Sequence, residues 1–328
     1  MLQAFLYTLD PMLTLFLCIA IGFALRKANI LPADAGKVMA KLITWVFYPA
    51  LSFTAMAKHC TVASLSTHAV NITLSTLCVA VAMGIAFALA PVFVKKKGAE
   101  RNIYTYALAF ANSAYMGDPL VLALFGEEML SYYKLYCLPI TLTIYTWGIR
   151  ALVPHSEKKE NPLKKLLNPP MVAMFLGIAV GVSGLGAHLP AFVGSTLNSL
   201  KGCMGPVAML LVGFTVASYP AKDMVARRDV YLSSLLRLTL IPAVIIAALF
   251  GFKTLANLAF GLSIGNTVLF LCFFAVATPF GLNTVVFPEA YGGNPKTGAS
   301  MALVSHTLAV LSLPLLYALM TLLFGKVA

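Results

Sequence analysis

The chain has 328 residues, of which 60% are hydrophobic and only 10% are charged, and its mean hydropathy is +0.89. This composition excludes an ordinary water-soluble globular protein, because such proteins carry about 25% charged residues. The net charge of +12 does not indicate nucleic-acid binding, since the basic residues cluster in particular connections rather than over one soluble face.

Apolar windows of about 20 residues, the length that crosses a bilayer core, recur along the whole chain. They predict an all-α integral membrane protein, because a lipid-exposed backbone must satisfy its own hydrogen bonds. The alternating pattern of outer-membrane strands is not seen. Ten transmembrane helices are predicted, at 4–25, 38–57, 69–94, 102–125, 131–151, 170–187, 195–218, 230–250, 262–288 and 299–324.

Lysine and arginine mark alternate connections between these spans. The connections after the first, third, fifth and seventh spans are rich in basic residues, whereas the alternate connections hold almost none, namely Lys58, Lys134 and Lys253. Because basic loops stay on the cytoplasmic side, ten spans place both termini outside. A retained first span is expected rather than a cleaved signal peptide, since Arg26 and Lys27 follow it and no basic region precedes it.

A charged, proline-containing linker at 154–169 divides the chain into two five-helix halves, 1–153 and 170–328. Two windows in these halves look alike: FANSAYMGDPLV begins at residue 110 and FAVATPFGLNTVV begins at residue 274. Gly117 and Gly281 occupy matching positions, 164 residues apart, which is half the chain length. With five helices in each half, the second copy enters the membrane from the opposite side, so we predict an inverted repeat.

Both windows carry residues that interrupt helices. Proline removes a backbone donor and glycine lowers the cost of leaving helical geometry, so breaks are expected at Gly117 and Pro119 and at Pro279 and Gly281. The ends of the resulting half-helices attract ions, the N-termini anions and the carbonyl ends cations. Two such breaks in inverted halves should meet near the bilayer midplane and form a substrate site. The alternative for each window is a simple kink in a packed helix.

Other polar residues near the breaks are candidates for the same site, although amides and hydroxyls also serve as hydrogen bonds between membrane helices. The expected substrate-binding residues are Asn112, Tyr115, Gly117, Asp118, Pro119, Thr278, Pro279, Gly281, Asn283 and Thr284. His306 is the only histidine deep in a predicted span, so it is a candidate for ion or proton coupling, with an interhelical hydrogen bond as the alternative. No deep span offers an obvious lysine or arginine for carboxylate binding, so an anion would depend on half-helix N-termini and amides.

Asp118 is a carboxylate at mid-bilayer depth, where insertion costs about 2.5 to 3.5 kcal/mol. Intramembrane carboxylates are functional candidates for this reason, and Asp118 is a candidate proton carrier. The alternative is that its side chain caps the second half of the broken helix. The six cysteines lack metal-ligand spacing, and no metal or cofactor is predicted apart from a coupling proton or sodium ion.

The run NSAYMGDPL, residues 112–120, is similar to the Asn-x-x-aromatic-x-Gly-x-Pro-Leu signature of the auxin efflux carrier family, whose bacterial members include malonate and malate permeases. The stretches VFYPALSF, NPPMVAMFLGIAVGV and PVAMLLVGFTVAS resemble the family too, in order along the chain. The resemblance implies two inverted five-helix repeats with crossed, broken helices 4 and 9, as in sodium/proton antiporters and bile-acid symporters. It also implies a homodimer and, from the short central linker, a multi-pass protein of the bacterial cytoplasmic membrane. Asp118 departs from the family pattern, since many members have an apolar residue there.

These features predict a secondary active transporter of small organic anions, with mono- or dicarboxylates as the expected class and a proton or sodium ion as the candidate coupling ion. A channel or uniporter for a small neutral or weakly acidic solute is the alternative, although no helix shows the sustained polar stripe of a pore. An enzyme is not predicted, because the buried histidine and aspartate match no catalytic constellation. The expected partners are the anion, the lipid bilayer and a second copy of the chain, and no nucleic acid.

Overall fold

A computed structural model describes residues 2–62, 65–153, 168–261 and 264–325, so nearly all of the predicted linker at 154–169 lies outside the described residues. Within these ranges the regular structure is helical, apart from one isolated backbone bridge. The α-helices, in chain order, are α1 Leu2–Lys27, α2 Ala35–Leu42, α3 Tyr48–His59, α4 Leu65–Phe93, α5 Ala99–Ala109, α6 Asp118–Tyr136, α7 Leu138–Thr143, α8 Ile149–Leu152, α9 Pro169–Val182, α10 Ala191–Ala217, α11 Ala221–Val225, α12 Arg228–Leu238, α13 Leu240–Phe260, α14 Thr267–Val276, α15 Asn283–Tyr291 and α16 Lys296–Phe324.

Six helical stretches in the described residues are long and apolar enough to cross a membrane, and each coincides with a predicted span. They are Phe5–Lys27, Ala35–His59, Ala69–Phe93, Ala191–Ala217, Arg228–Ala259 and Lys296–Phe324. The shorter apolar helices α9 and α14 overlap two further predicted spans, whereas the predicted spans 102–125 and 131–151 are built from several helical pieces. The all-helical membrane protein is therefore confirmed, while the ten crossings and the inverted repeat stay predictions.

Long helices pack closely on one another through small residues. Helix α1 packs along α10 and α16, and α3 packs on α9 and α10. A Cβ atom at Gly22 would overlap the backbone of Leu210, and one at Gly213 would overlap the backbone of Ile19. Because lipid tails are as apolar as the side chains, helices in membranes associate largely through such close packing. The two glycines therefore allow α1 and α10 to lie backbone against backbone.

The second predicted break lies where the sequence placed it. Helix α14 ends at Val276 and α15 begins at Asn283, with Pro279 and Gly281 in the connection between them. Proline cannot donate the next helical hydrogen bond, which ends α14 within a few residues of it.

The first break lies earlier than predicted. The chain leaves helical geometry at Phe110, which is extended (φ −115°, ψ 123°), and re-enters it through a π-helical turn at Ser113–Gly117. The predicted break at Gly117 and Pro119 is therefore wrong. Pro119 lies in the first turn of α6, and the backbone on both sides of it is helical, because the π-helical turn at Ser113–Gly117 runs directly into α6. A separate change of direction in α6 occurs at Gly126, whose φ is +81°.

Candidate functional site

The two interrupted segments meet through their backbones. The N–H of Asn112 donates to the carbonyl of Pro279 at 2.8 Å, and the N–H of Gly281 donates to the carbonyl of Phe110 at 3.1 Å, which forms an antiparallel bridge. At membrane depth an unpaired backbone N–H or C=O group costs several kcal/mol. Each interrupted segment therefore supplies hydrogen-bond partners for backbone groups that the other segment leaves unpaired. The expected meeting of the two breaks is present, and we call it the crossing.

A chain of buried side-chain hydrogen bonds extends the crossing. The hydroxyl of Tyr115 donates to Oδ1 of Asn283 at 2.9 Å, and Nδ2 of Asn283 donates to the hydroxyl of Tyr106 at 2.9 Å. Thr284 donates its hydroxyl to the carbonyl of Gly281, also at 2.9 Å. The structure therefore brings together Tyr115, Asn283 and Thr284 from the predicted set. It adds Tyr106, which was not predicted because an aromatic residue in an apolar span is typical of the hydrophobic core.

His306 approaches the crossing from α16. Its Nδ1 lies 2.8 Å from the carbonyl oxygen of Ala302, and its Nε2 lies 3.0 Å from Nδ2 of Asn112. A carbonyl accepts only from a protonated Nδ1, so the neutral imidazole uses Nε2 to accept from the Asn112 amide. Both ring nitrogens are thus satisfied, which supports the interhelical hydrogen bond, and the coupling role of His306 stays a prediction.

Two polar atoms at the crossing have no hydrogen-bond partner among the described residues. They are Oδ1 of Asn112 and Oγ1 of Thr278, and both residues are buried. Leaving a buried donor or acceptor without a hydrogen bond costs about 1 to 3 kcal/mol. In a native structure such atoms commonly bind a ligand or an ordered water molecule. In the described part of the chain, histidine, cysteine and carboxylate side chains do not gather in groups of three or more that would hold a metal ion. The crossing is therefore suited to binding a polar molecule by hydrogen bonds.

Asp118 forms an ion pair with Lys134. Its Oδ2 lies 2.7 Å from Nζ of Lys134, and the two side chains are 1% and 5% exposed. The Lys134 ammonium also lies 4.5 Å from the centre of the Tyr48 ring, a cation–π distance. The assignment of Lys134 to an exposed connection is therefore wrong. The capping alternative for Asp118 is wrong as well, because its hydrogen bond goes to Lys134 rather than to the backbone of α6.

Gly117 and Pro119 serve packing in this structure. A Cβ at Gly117 would overlap the hydroxyl of Tyr133 and lie 3.4 Å from the carbonyl oxygen of Phe274, so a larger residue here would have to displace the Tyr133 ring. Pro119 packs against Gly205 of α10, where a Cβ would lie 2.9 Å from the proline Cγ. Asp118, Gly117 and Pro119 thus lie beside the hydrogen-bonded chain of the crossing rather than within it.

Arg237 is a second ionisable residue that sequence reasoning overlooked. It lies in the last turn of α12, is fully buried, and approaches the carbonyl of Leu108 with Nη1 at 3.5 Å. The expectation that no deep span supplies a lysine or arginine is therefore wrong for both Lys134 and Arg237. The signal was present in the sequence, since an arginine inside a predicted span is a functional candidate whatever surrounds it.

Glu127, between the predicted spans 102–125 and 131–151, forms ion pairs with two lysines from other helices. Its carboxylate lies 2.8 Å from Nζ of Lys58 on α3 and 2.6 Å from Nζ of Lys201 on α10. Hydrogen bonds from Lys201 and Lys58 lower the pKa of the Glu127 carboxyl to about 2. Glu127 is therefore ionised at neutral pH and ties α6 to both neighbouring helices.

Comparison with known proteins identifies the family. The membrane transport protein family matches residues 7–317. An uncharacterized transporter of Methanothermobacter thermautotrophicus is 24% identical over 244 residues, which cover 73% of this chain and 77% of that protein. An uncharacterized transporter of Methanocaldococcus jannaschii is 21% identical over 215 residues, which cover 64% of this chain and 69% of that protein. Because the family match spans nearly the whole chain, the protein belongs to the membrane transport protein family, the auxin efflux carrier family that its motifs resemble, and it is a transporter rather than an enzyme.

Proposed function

We propose that this protein is a secondary active transporter of small organic anions, mono- or dicarboxylates, that works by alternating access. The observation that carries the proposal is the crossing, where two interrupted helical segments pair through their backbones. Broken helices of this kind form the substrate sites of many secondary transporters. Asn112 and Thr278 add buried polar atoms without a partner in the described residues, which a bound substrate would satisfy.

Each interruption presents both kinds of helix end. The first ends α5 and starts the helical turn at Ser113, and the second ends α14 and starts α15. N–H groups at the starting ends carry partial positive charge and favour an anion, and carbonyls at the finishing ends favour a cation. This juxtaposition supports the transport of an anion together with a proton or sodium ion.

A carrier accounts for the crossing better than a channel does. Asn112, Thr278 and Thr284 are at most 1% exposed, so the polar side chains of the crossing are closed off from both sides in this structure. A channel would need such a path in its open state. In a carrier the site is occluded at one stage of the cycle and opens to each side in turn. A uniporter for a neutral or weakly acidic solute is the remaining alternative.

Asp118 is the proposed proton carrier, with Lys134 as its partner. The two charges cancel in the buried ion pair, so taking up a proton at Asp118 would break the pair and free the Lys134 ammonium. Such a change alters local charge by one unit in a low-dielectric site, where electrostatic interactions are strong. Coupling through Asp118 thus has a physical route to the packing of α6.

The proposal includes an inverted repeat of 1–153 and 170–328, a homodimer, and a bacterial cytoplasmic membrane with both termini outside. The resemblance to short-linker bacterial family members and the alternating basic connections support these points. A cysteine placed in the 154–169 linker should react with an impermeant reagent only from the cytoplasmic side, and one at the C-terminus only from outside. Reaction of both from one side would contradict ten crossings.

Transport is tested in proteoliposomes of the purified protein. Saturable uptake of labelled malonate or acetate, accelerated by the same unlabelled anion inside the vesicle, is expected for a carrier. Uptake that does not saturate and shows no counterflow would indicate a channel. Counterflow without accumulation under any imposed proton or sodium gradient would indicate a uniporter.

A further inference from the structure

Arg237 is a buried cation with one edge that no protein group satisfies. Its Nε and Nη2 atoms have no hydrogen-bond partner among the described residues, and only Nη1 approaches an acceptor, the carbonyl of Leu108 at 3.5 Å. The carboxylates that form ion pairs in the described part of the chain do so with cations other than Arg237, which are Lys58, Lys134, Lys201, Arg227, Lys296 and, when protonated, His59.

The two unpartnered nitrogens belong to the same edge of the guanidinium group. Nε–H and Nη2–H point in one direction from the planar group, and this edge matches the two oxygens of a carboxylate. Nη1 lies against the last turn of α5, where the partial negative charge of a helix C-terminus favours a cation. Capping of α5 therefore explains the placement of Nη1, but it leaves the Nε and Nη2 edge without a function.

Arg237 is also close in the fold to the crossing. Leu108, which it approaches, comes two residues before Phe110, whose carbonyl accepts from the second interrupted segment. Helix α12 packs against α16, the helix that carries His306 to the crossing. A ligand at the guanidinium edge is therefore buried beside the crossing rather than at the protein surface.

We propose that Arg237 binds a carboxylate group of the transported anion through its Nε and Nη2 atoms. This inference rests on the proposed function and assigns to one residue the recognition of the substrate carboxylate. Of the buried lysine and arginine residues that the structure describes, Lys134 is already neutralised by Asp118, so Arg237 is the cation left for a substrate. An unpaired arginine is costly in a membrane protein, and a bound carboxylate offsets that cost.

Ligand-induced thermal stabilisation of the purified full-length protein tests this assignment, because a ligand that binds only the folded state raises its Tm. The probes are malonate and acetate, with malonamide as the uncharged analogue and sodium chloride at matched ionic strength. Arg237→Met removes the charge, Arg237→Lys keeps the charge without the planar edge, and Arg228→Met at an exposed site is the matched control. We expect a carboxylate-dependent shift in the wild type and in Arg228→Met, no shift in Arg237→Met, and a Kd raised at least about thirtyfold in Arg237→Lys.

The outcomes separate this assignment from the proposed function. Arg237→Met should fold, because it deletes a buried charge that lacks a protein counterion, and its Tm without ligand reports this directly. An equal carboxylate shift in the wild type and both Arg237 variants would overturn the assignment while carboxylate transport stands. An equal shift with sodium chloride would also overturn it, in favour of an inorganic anion. Uptake of malonamide but of no carboxylate would contradict the proposed function itself.

Discussion

Replacing Asp118 by asparagine is expected to destabilise the protein strongly. In the structure Oδ2 of Asp118 lies 2.7 Å from Nζ of Lys134, and both side chains are nearly out of contact with solvent. Asparagine keeps the size of the side chain but leaves the Lys134 charge buried without a counterion. Breaking a buried pair from one side costs about 3 to 5 kcal/mol, so we expect the free energy of unfolding to fall by that order.

A double-mutant cycle isolates the pair. Lys134→Met should be as harmful as Asp118→Asn, whereas the double variant should lose much less than the sum, because neither charge is then left alone. Asp34→Asn, at an exposed carboxylate, is the control and should change the free energy of unfolding by no more than about 0.5 kcal/mol. Unfolding in mixed micelles, followed by tryptophan fluorescence, gives the four values. Additive losses would refute the ion pair.

The same substitution tests proton coupling. Asparagine cannot take up a proton, so Asp118→Asn should still exchange labelled for unlabelled anion in proteoliposomes but should not accumulate it under a pH gradient. Retained exchange also shows that the variant is folded. Accumulation with the wild-type dependence on external pH would refute the coupling role and leave Asp118 with a structural one. A lost dependence on sodium would assign it to a cation site instead.

Three further predictions follow from the positions of single residues. Pro279→Ala should reduce transport more than Pro119→Ala, because Pro279 lies between two helices and Pro119 lies in the first turn of α6. Uptake rates of the two variants at matched expression test this, and equal losses of transport would contradict a first break at Phe110. Gly117→Ala should lower the Tm, because the added Cβ would overlap the Tyr133 hydroxyl. Adding Tyr133→Phe to this variant removes the hydroxyl and should restore part of the lost Tm; if it does not, the overlap with Tyr133 is not the cause of the loss. For Glu127, the lowered pKa means that its ion pairs contribute stability above its ordinary pKa of 4.5 and lose it as pH falls toward about 2. The Tm difference between the wild type and Glu127→Gln should therefore be constant near neutral pH and shrink below about pH 4.5, and a constant difference down to pH 2 would count against these ion pairs.

The sequence alone determined the membrane class, six long spans and the segment of the second break. These features depend on local properties: twenty apolar residues cross a bilayer whatever surrounds them, and Pro279 cannot donate a helical hydrogen bond in any fold. The pairing of the two interrupted windows was also predictable, because the similarity of FANSAYMGDPLV and FAVATPFGLNTVV placed them at matching positions.

The tertiary structure alone decided where the first break lies and which charges are buried. The carbonyl of Phe110 and the N–H of Asn112 form hydrogen bonds to the segment at Pro279–Gly281, which is distant in sequence. Local helix propensity does not include this stabilisation, so the sequence did not predict that the helix ends at Phe110. The sequence pattern assigns Lys134 to a connection between spans, whereas in the structure its ammonium is buried against Asp118. Only the tertiary structure shows that Arg237 is fully buried and that its Nε and Nη2 atoms have no partner among the described residues. Charge burial is a property of long-range packing: the positions of Asp118 and Arg237 in apolar spans are visible in the sequence, whereas their partners depend on how the helices pack.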